Sequence, residues 1–407
     1  MPPRFLHVDL DAFFVEVCRR FHPELRGIDL LVVGGRRDQR GVVQSASYGA
    51  RKFGVHSGMP IAEAVRRCPE ATFFLGSFAH YTQASHEVRA ILENFSPAIV
   101  MASLDEAYLD FSGTELLHPV SLLPVADEIR RQVKRGADLD CSIGIGPNRM
   151  IAKVASDAAK PRGMLEVRPG WEEQFLAGFD LRAIPGIGPR TAEQLARLGF
   201  TEVWQIQRTS REALERLLGT EAKWLKHRAH GHGGTILTPH QLPKSVSRET
   251  TLSRDSTDLA TLDRILSLFS ARVAAQLREE GLAARTIQLK LRHGDFHTVT
   301  RRKTLPEPTN LDAEIYAAAR ELFAPAYQEM RQRDQGVRLL GIGAGNIVVA
   351  GPADLFEPEK RTRDREVTNA VDKVREKYGF DAVQPAKLLE RGSRETDGKK
   401  RGGKPTQ

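Results

Sequence analysis

The tightest constraint on this chain is where it places its acids. Phe5-Leu-His-Val-Asp-Leu-Asp-Ala-Phe-Phe is a short apolar run interrupted by Asp9 and Asp11, and Ile99-Val-Met-Ala-Ser-Leu-Asp-Glu-Ala-Tyr-Leu-Asp-Phe sets an acidic pair between two apolar runs. Such runs read as strands: one buried strand leading into an aromatic turn, and two strands joined by a tight turn at Asp105-Glu106. A carboxylate inside a buried strand needs a reason. If both segments join one sheet, Asp9, Asp105 and Glu106 meet at neighbouring strand ends, where three anions repel one another unless a divalent cation neutralises them. Hard oxygen ligands of this kind suit Mg²⁺ or Mn²⁺, and two ions roughly 3.5–4 Å apart form the clamp used for in-line phosphoryl transfer. The bland alternative is that the acids only cap surface turns.

The surrounding pattern predicts strands at 30–33 and 41–46, and helices at 61–67, 80–95 and 120–133. A strand over Cys141–Gly146 and a helix over Asn148–Ala159 follow. Strands interleaved with helices in this way imply an α+β sheet domain with helices packed on one face. Leu181 to Phe200 reads as helix–hairpin–helix around Pro185-Gly-Ile-Gly188, and Leu214 to Gly231 as a second such unit. Residues 236–243 form an extended linker. Beyond it, strand, helix (259–280), strand (286–292), strand (296–304), helix (311–324) and strand (337–342) make a separate β-α-β-β-α-β domain. A further helix is predicted at Glu366–Tyr378, and residues 392–407 are expected to be disordered.

At 407 residues the chain is too long for one domain, and 41% hydrophobic with 28% charged residues excludes a disordered chain. The N-terminus lacks a signal-type apolar region and no run of about eighteen apolar residues occurs, so a cytoplasmic protein without membrane contact is expected. Cys18, Cys68 and Cys141 lack C-x-x-C spacing, which argues against a disulfide framework or structural zinc. His227, His230 and His232 have no cysteine or carboxylate at ligand spacing. The net charge is +8, yet residues 1–167 carry 20 basic and 20 acidic side chains, so the excess lies beyond them. That distribution is compatible with nucleic acid and equally with a solvated surface. Tyr48 and Arg51, on one face of a helical turn, could grip phosphate oxygens, with Lys160 as a further cation.

Val8-Asp-Leu-Asp-Ala-Phe-Phe, Ala46-Ser-Tyr-Gly-Ala-Arg-Lys-Phe-Gly-Val, Ser103-Leu-Asp-Glu-Ala-Tyr-Leu-Asp, Ser142-Ile-Gly-Ile-Gly-Pro-Asn-Arg-Met-Ile-Ala-Lys and Ala158-Ala-Lys-Pro-Arg-Gly, followed by Ile184-Pro-Gly-Ile-Gly, resemble the motifs of the Y-family DNA polymerases in their order, over about residues 4–350. Within that family the motifs most resemble the bacterial polymerase IV branch. The resemblance implies that Asp9, Asp105, Glu106 and the Leu10 carbonyl hold two Mg²⁺ ions, with Mn²⁺ as a substitute. Phe14 is implied as the steric gate against a ribose 2′-OH. Phe13, Phe14, Ser45, Tyr48, Arg51 and Lys160 are implied to surround the incoming dNTP, although Phe13 is expected to pack in the core.

It also implies a right-hand fold of palm (1–10 and 78–167), fingers (11–77), thumb (168–235) and little finger (244–350), with a partly disordered tail over 351–407. Gly186 and Gly188 in the hairpin, and Arg248, Arg301, Arg302 and Arg338 in the little finger, would contact primer-template DNA. A monomeric, low-fidelity translesion polymerase follows, with an open site around Gly49, Gly54 and Gly58 and no segment that reads as a proofreading exonuclease. A sliding-clamp segment of the branch is matched only in degenerate form by Pro352–Phe356, which keeps Leu355 and Phe356. The six basic residues of 391–407 suit a DNA-binding or a solubilising tail. Two other readings start from the same acids: a palm-fold nucleotidyl cyclase, and a catalytically silent DNA-binding scaffold.

Overall fold

The N-terminal apolar run forms β1 (Phe5–Leu10), buried at every position. It is the central strand of the first of two units, residues 1–240 and 241–407; the computed structural model describes residues 3–237, 242–332, 335–351 and 358–383. The clamp-like segment Pro352–Phe356 and residues 391–407 lie outside the described residues. After β1 the chain turns through Ala12, at φ 46°, into α1 (Phe13–Phe21), so the predicted aromatic turn is the first turn of a helix. β2 (Leu31–Val33), β3 (Ser45–Ala46), α2 (Tyr48–Arg51), α3 (Ile61–Arg67) and β4 (Thr72–Phe74) then enclose a small core that includes Val32, Val43, Ala50, Met59 and Ile61. The strand expected from Gly41 shrinks to two residues. Its first half bonds to the segment before α3 instead, through Val43 N to Met59 O and Ile61 N to Gly41 O.

α4 (Phe78–Leu92), β5 (Ile99–Met101), β6 (Glu106–Asp110), α5 (Leu123–Ala137), β7 (Cys141–Gly146), α6 (Arg149–Ala158) and β8 (Met164–Glu166) complete a five-stranded sheet in the order β5-β6-β1-β7-β8. Alternation along the strands sends Leu6, Val8, Leu10, Ile143 and Ile145 to one face, where Val88, Leu92, Ala126, Ile129 and Val133 of α4 and α5 cover them. His7 and Asp9 point to the other face. That face also takes a helix, so the one-sided packing expected from the sequence is two-sided. The cause is the Gly-Ile-Gly of β7: a Cβ on Gly144 would lie 1.9 Å from Ala152 O and 2.2 Å from Ser156 N, so only glycine lets α6 press onto the sheet.

α7 (Glu172–Ala177), a 3₁₀ turn at Leu181–Ala183, α8 (Pro189–Arg197), α9 (Val203–Arg208), α10 (Arg211–Leu218) and α11 (Glu221–Ala229) pack around Leu181, Ile184, Leu195, Val203 and Leu225, with Ile151 and Val154 of α6 in the same core. The hairpin before α8 needs Gly186 at φ 104°, where a Cβ would also meet the Trp224 ring at 2.9 Å. The Lys226 ammonium donates to the carbonyls of Ile206, Gln207 and Thr209, which satisfies acceptors at the end of α9.

The second unit is β9 (Ser245–Ser256), α12 (Leu259–Glu279), β10 (Leu282–His293), β11 (Thr298–Thr309), α13 (Asp312–Gln332) and β12 (Val337–Val349), an antiparallel sheet in the order β11-β10-β12-β9 with both helices on one face. The strands run longer than predicted. β11 contains Pro306 and Pro308, which an edge strand tolerates, and α13 carries Pro325 inside it. The C-terminal helix is longer too: α14 (Glu359–Tyr378) begins seven residues before Glu366 and docks on this unit rather than trailing as a tail. Arg278 bonds to Asp372 of α14 at 2.6 Å and to Asp312 at 2.8 Å, and Arg361 of α14 pairs with Glu314 at 3.0 Å. The apolar spacing that marks the helix starts only at Val367; within its first two turns Arg361 ties to Glu314, while Asp372 holds Arg278 further along. No helix among the described residues is long and apolar enough to cross a membrane.

Candidate active site

Antiparallel pairing of β1 with β6 sets Asp9 opposite Glu106 and His7 opposite Tyr108, and cross-strand partners share a face. Asp105 ends the turn before β6, tied to β1 by Leu10 N donating to Asp105 O at 2.9 Å. Ser103 shapes that turn: its hydroxyl donates to Asp105 Oδ1 at 2.5 Å and accepts from the backbone N–H groups of Asp105 and Glu106. Asp9 and Glu106 therefore share the face that carries α6, and the Asp105 backbone is held against Leu10 at the same strand ends.

That helix supplies the opposing charge. Lys153 Nζ lies 2.7 Å from Glu106 Oε1, and Lys160, just past the helix, lies 2.7 Å from Asp9 Oδ2 and 2.9 Å from Asp157 Oδ1. His7, fully buried beneath the acids, meets Ser156 Oγ through Nδ1 at 2.7 Å and approaches Glu106 Oε2 within 3.5 Å through Nε2. Burial pushes the Asp9 carboxyl up to about 6, against the pull of Lys160. The neighbouring His7 and Lys153 hold Glu106 down at about 2 despite its partial burial.

Among the described residues no three His, Cys, Asp or Glu side chains are drawn together as a finished ion cage, since Asp9 and Glu106 turn to lysines and Asp105 to Ser103. The donors at these strand ends are nonetheless hard oxygens, and two ammonium groups already answer the charge of Asp9 and Glu106. The set fits divalent cations of the Mg²⁺ kind.

Around the acids, Ser47 caps α2 through the Ala50 N–H, and the Arg51 guanidinium lies 4.8 Å from the centre of the Tyr48 ring while its Nε donates to Ala46 O at 2.9 Å. Ser45 is buried in β3 opposite Val33. Phe13 is only 3% exposed and belongs to the core, so its ring is not offered to a ligand. Phe14 is half-buried, with its ring 4.2 Å from that of Tyr81. Sequence reasoning missed His7, Lys153 and the partners of Asp11. Lys153 had a signal, since it closes the Ser142–Lys153 motif and lies on the helix predicted over Asn148–Ala159.

In the second unit, register decides which basic residues share the open face of the sheet. Gln288, Lys290 and Arg292 of β10 pair with Arg302, Thr300 and Thr298 of β11, all on the face away from the helices. Arg301 pairs with buried Leu289 and reaches Glu329 of α13 at 3.1 Å, so it stands on the helix side. Arg248 is opposite Ile342 and shares that side. The Arg338 guanidinium lies 4.3 Å from the Phe296 ring centre. The open face thus holds Arg302, but not Arg301 or Arg248, together with Lys290 and Arg292, which the sequence pattern does not single out. In the first unit, Gly188 is the N-cap of α8 and a Cβ there would meet open space.

An acid cluster on a five-stranded α+β sheet, a helical unit with a glycine hairpin and a separate β-α-β-β-α-β unit together define a nucleotide-polymerising class of fold. The family model of the impB/mucB/samB family matches residues 8–157, and that of its C-terminal domain matches residues 243–355. The chain belongs to this family, the Y-family DNA polymerases, and is a DNA-directed DNA polymerase. DNA polymerase IV of Dehalococcoides mccartyi is 39% identical over 382 residues, covering 94% of this chain and 96% of the relative. That of Caulobacter vibrioides is 36% identical over 385 residues, covering 94% and 93%. Among solved structures, a Y-family DNA polymerase chimera aligns with a TM-score of 0.71 at 25% identity, covering 85% of this chain and 99% of the chimera. The insertion ternary complex of Dbh DNA polymerase aligns at 0.57 and 25% identity, with the same coverage.

Proposed function

We propose that this polymerase adds dNTPs to a primer 3′-OH on damaged templates by a two-metal mechanism, with low fidelity and without proofreading. The observation that carries the reading is the Asp9–Glu106 register with Asp105 beside it, on the face where Lys160 also stands. Residues 1–10 and 78–167 act as palm, 11–77 as fingers, 168–235 as thumb and 244–350 as little finger. Asp9, Asp105, Glu106 and the Leu10 carbonyl would hold two Mg²⁺ ions, which lower the pKa of the attacking hydroxyl and neutralise the leaving pyrophosphate. Lys153 and His7 keep Glu106 ionised and oriented. Tyr48, Arg51 and Lys160 grip the triphosphate, and Phe14, backed by Tyr81, closes the space a ribose 2′-OH would need. The hairpin at Gly186–Gly188 and the open face with Lys290, Arg292 and Arg302 neutralise DNA phosphates without reading sequence.

The test is extension of a labelled primer on an undamaged template with Mg²⁺ and dNTPs, comparing wild type with Asp105→Asn. Extension by wild type alone, with DNA binding retained by the variant, is the expected result. Equal extension by both would remove Asp105 from the chemistry.

A further inference from the structure

Asp11 is a second buried acid, 3% exposed and two residues beyond Asp9, and it lies outside the roles assigned above. Among the described residues no lysine or arginine side chain pairs with it; its charge is met by neutral donors from remote segments. Oδ1 accepts from Tyr48 Oη at 2.9 Å and from Ser142 Oγ at 3.1 Å. Oδ2 accepts from the Arg162 backbone N–H at 2.8 Å and shares the Ser142 hydroxyl at 3.1 Å. Asp11 N in turn donates to Asp140 O at 2.9 Å, which anchors the carboxylate to the segment before β7.

These contacts join two places that chain order keeps far apart. Tyr48 lies on α2, whereas Arg162 closes the turn that carries Lys160 after α6. Arg162 is itself held at φ 55°, a left-handed conformation uncommon for a side chain of its size, and its N–H is the group that Asp11 fixes. We infer that Asp11 is the positioning residue of the nucleotide site, setting the Tyr48 ring and the Lys160–Arg162 turn in register before a triphosphate enters. The inference rests on the proposal that Tyr48 and Lys160 bind that triphosphate.

A buried carboxyl group whose two oxygens are both taken by donors from three remote segments leaves those donors little freedom. Burial and the Asp11 charge also push the Tyr48 phenol up, so Tyr48 stays a donor. Its hydroxyl has one proton, and a phosphate oxygen that takes it must draw it from Asp11. What Asp11 contributes is therefore the place of the ring and the turn, not a contact with substrate.

The experiment is steady-state incorporation of a single dNTP by full-length wild type, Asp11→Asn, Asp11→Ala, Tyr48→Phe, Lys160→Ala and the double variant Asp11→Ala/Tyr48→Phe. Thermal melting and anisotropy with a primer-template duplex accompany it. Asp11→Ala is expected to raise the dNTP KM about tenfold or more, with kcat within about threefold and duplex affinity unchanged. The double variant should lose less than the product of the two single losses, because both act through one contact. Asp11→Asn keeps the shape and one acceptor oxygen, so it should melt like wild type and show a smaller rise; its KM decides the matter if Asp11→Ala does not fold. Wild-type KM in folded Asp11 variants, or losses that simply multiply, would overturn the inference. If Lys160→Ala and Tyr48→Phe also leave KM unmoved, the triphosphate assignment beneath it fails; if they raise KM while the Asp11 variants do not, the positioning role alone fails.

Discussion

Asp9 and Glu106 face each other across two strands and shift in opposite directions, because Asp9 is the more deeply buried while His7 and Lys153 both attend Glu106. Phe14 owes its position to its neighbours in the same way: Tyr81, fully buried and bonded to Cys18 Sγ at 3.4 Å, backs its ring. A ring held from behind cannot retreat from a 2′-OH. Phe14→Ala should therefore raise ribonucleotide use relative to deoxyribonucleotide use by on the order of a hundredfold. Measured ratios of kcat/KM for rCTP and dCTP opposite template G decide it, and an unchanged ratio would reject Phe14 as the gate. At this scale the sequence was informative wherever a residue type is odd for its place. Asp9 and the Asp105-Glu106 pair interrupt apolar runs, which is why the acids were legible. Asp11 interrupts the same run, but its meaning lies in partners 37, 131 and 151 residues away, and no local pattern encodes those distances.

The element that places both lysines is α6, and it reaches the sheet because β7 presents glycines. An added Cβ on Gly144 would press into the backbone of α6 at Ala152 and Ser156, neither of which can swing away as a side chain can. Gly144→Ala should cost about 3 kcal/mol or more, at the upper end of overpacking. Ile143→Val, on the opposite face of the same strand, should cost only about 1 kcal/mol. Chemical denaturation of the two variants tests this, and a Gly144→Ala protein as stable as wild type would show that α6 does not press on β7. Elements were well predicted where apolar spacing is dense, as for β7 and α3, whose bounds agree with the structure. They fall short elsewhere: β10 opens on Leu282-Ala-Ala, buried in a row without alternation, and β11 ends in Leu305-Pro-Glu-Pro-Thr, where two prolines mask the strand. The helix predicted over 311–324 stops just before Pro325, yet the packed face of α13 continues through Tyr327 and Met330.

Over the whole molecule, charge is distributed by task. The first 167 residues are balanced, and the basic excess lies in the remainder. Sequence alone located that excess but not its direction, since facing depends on register. On the second unit's sheet, Arg302 looks outward while Arg301, its neighbour in sequence, bonds to α13. Arg302→Ala should lower the slope of log affinity for a primer-template duplex against log salt by about one, whereas Arg301→Ala should leave it unchanged. Titrations between low and moderate salt separate the two, and equal slopes for both variants would mean that facing does not govern DNA contact.

The docking of α14 reaches beyond the part of this unit that family boundaries mark. The C-terminal family match stops at residue 355, yet Arg278 is shared between Asp312 inside that boundary and Asp372 outside it. A gene trimmed at the boundary would encode a protein with Arg278 short of one carboxylate and Glu314 without its Arg361 partner. Poor yield or aggregation of such a shortened chain would be a consequence of the cut, and would say nothing about how well the natural polymerase folds.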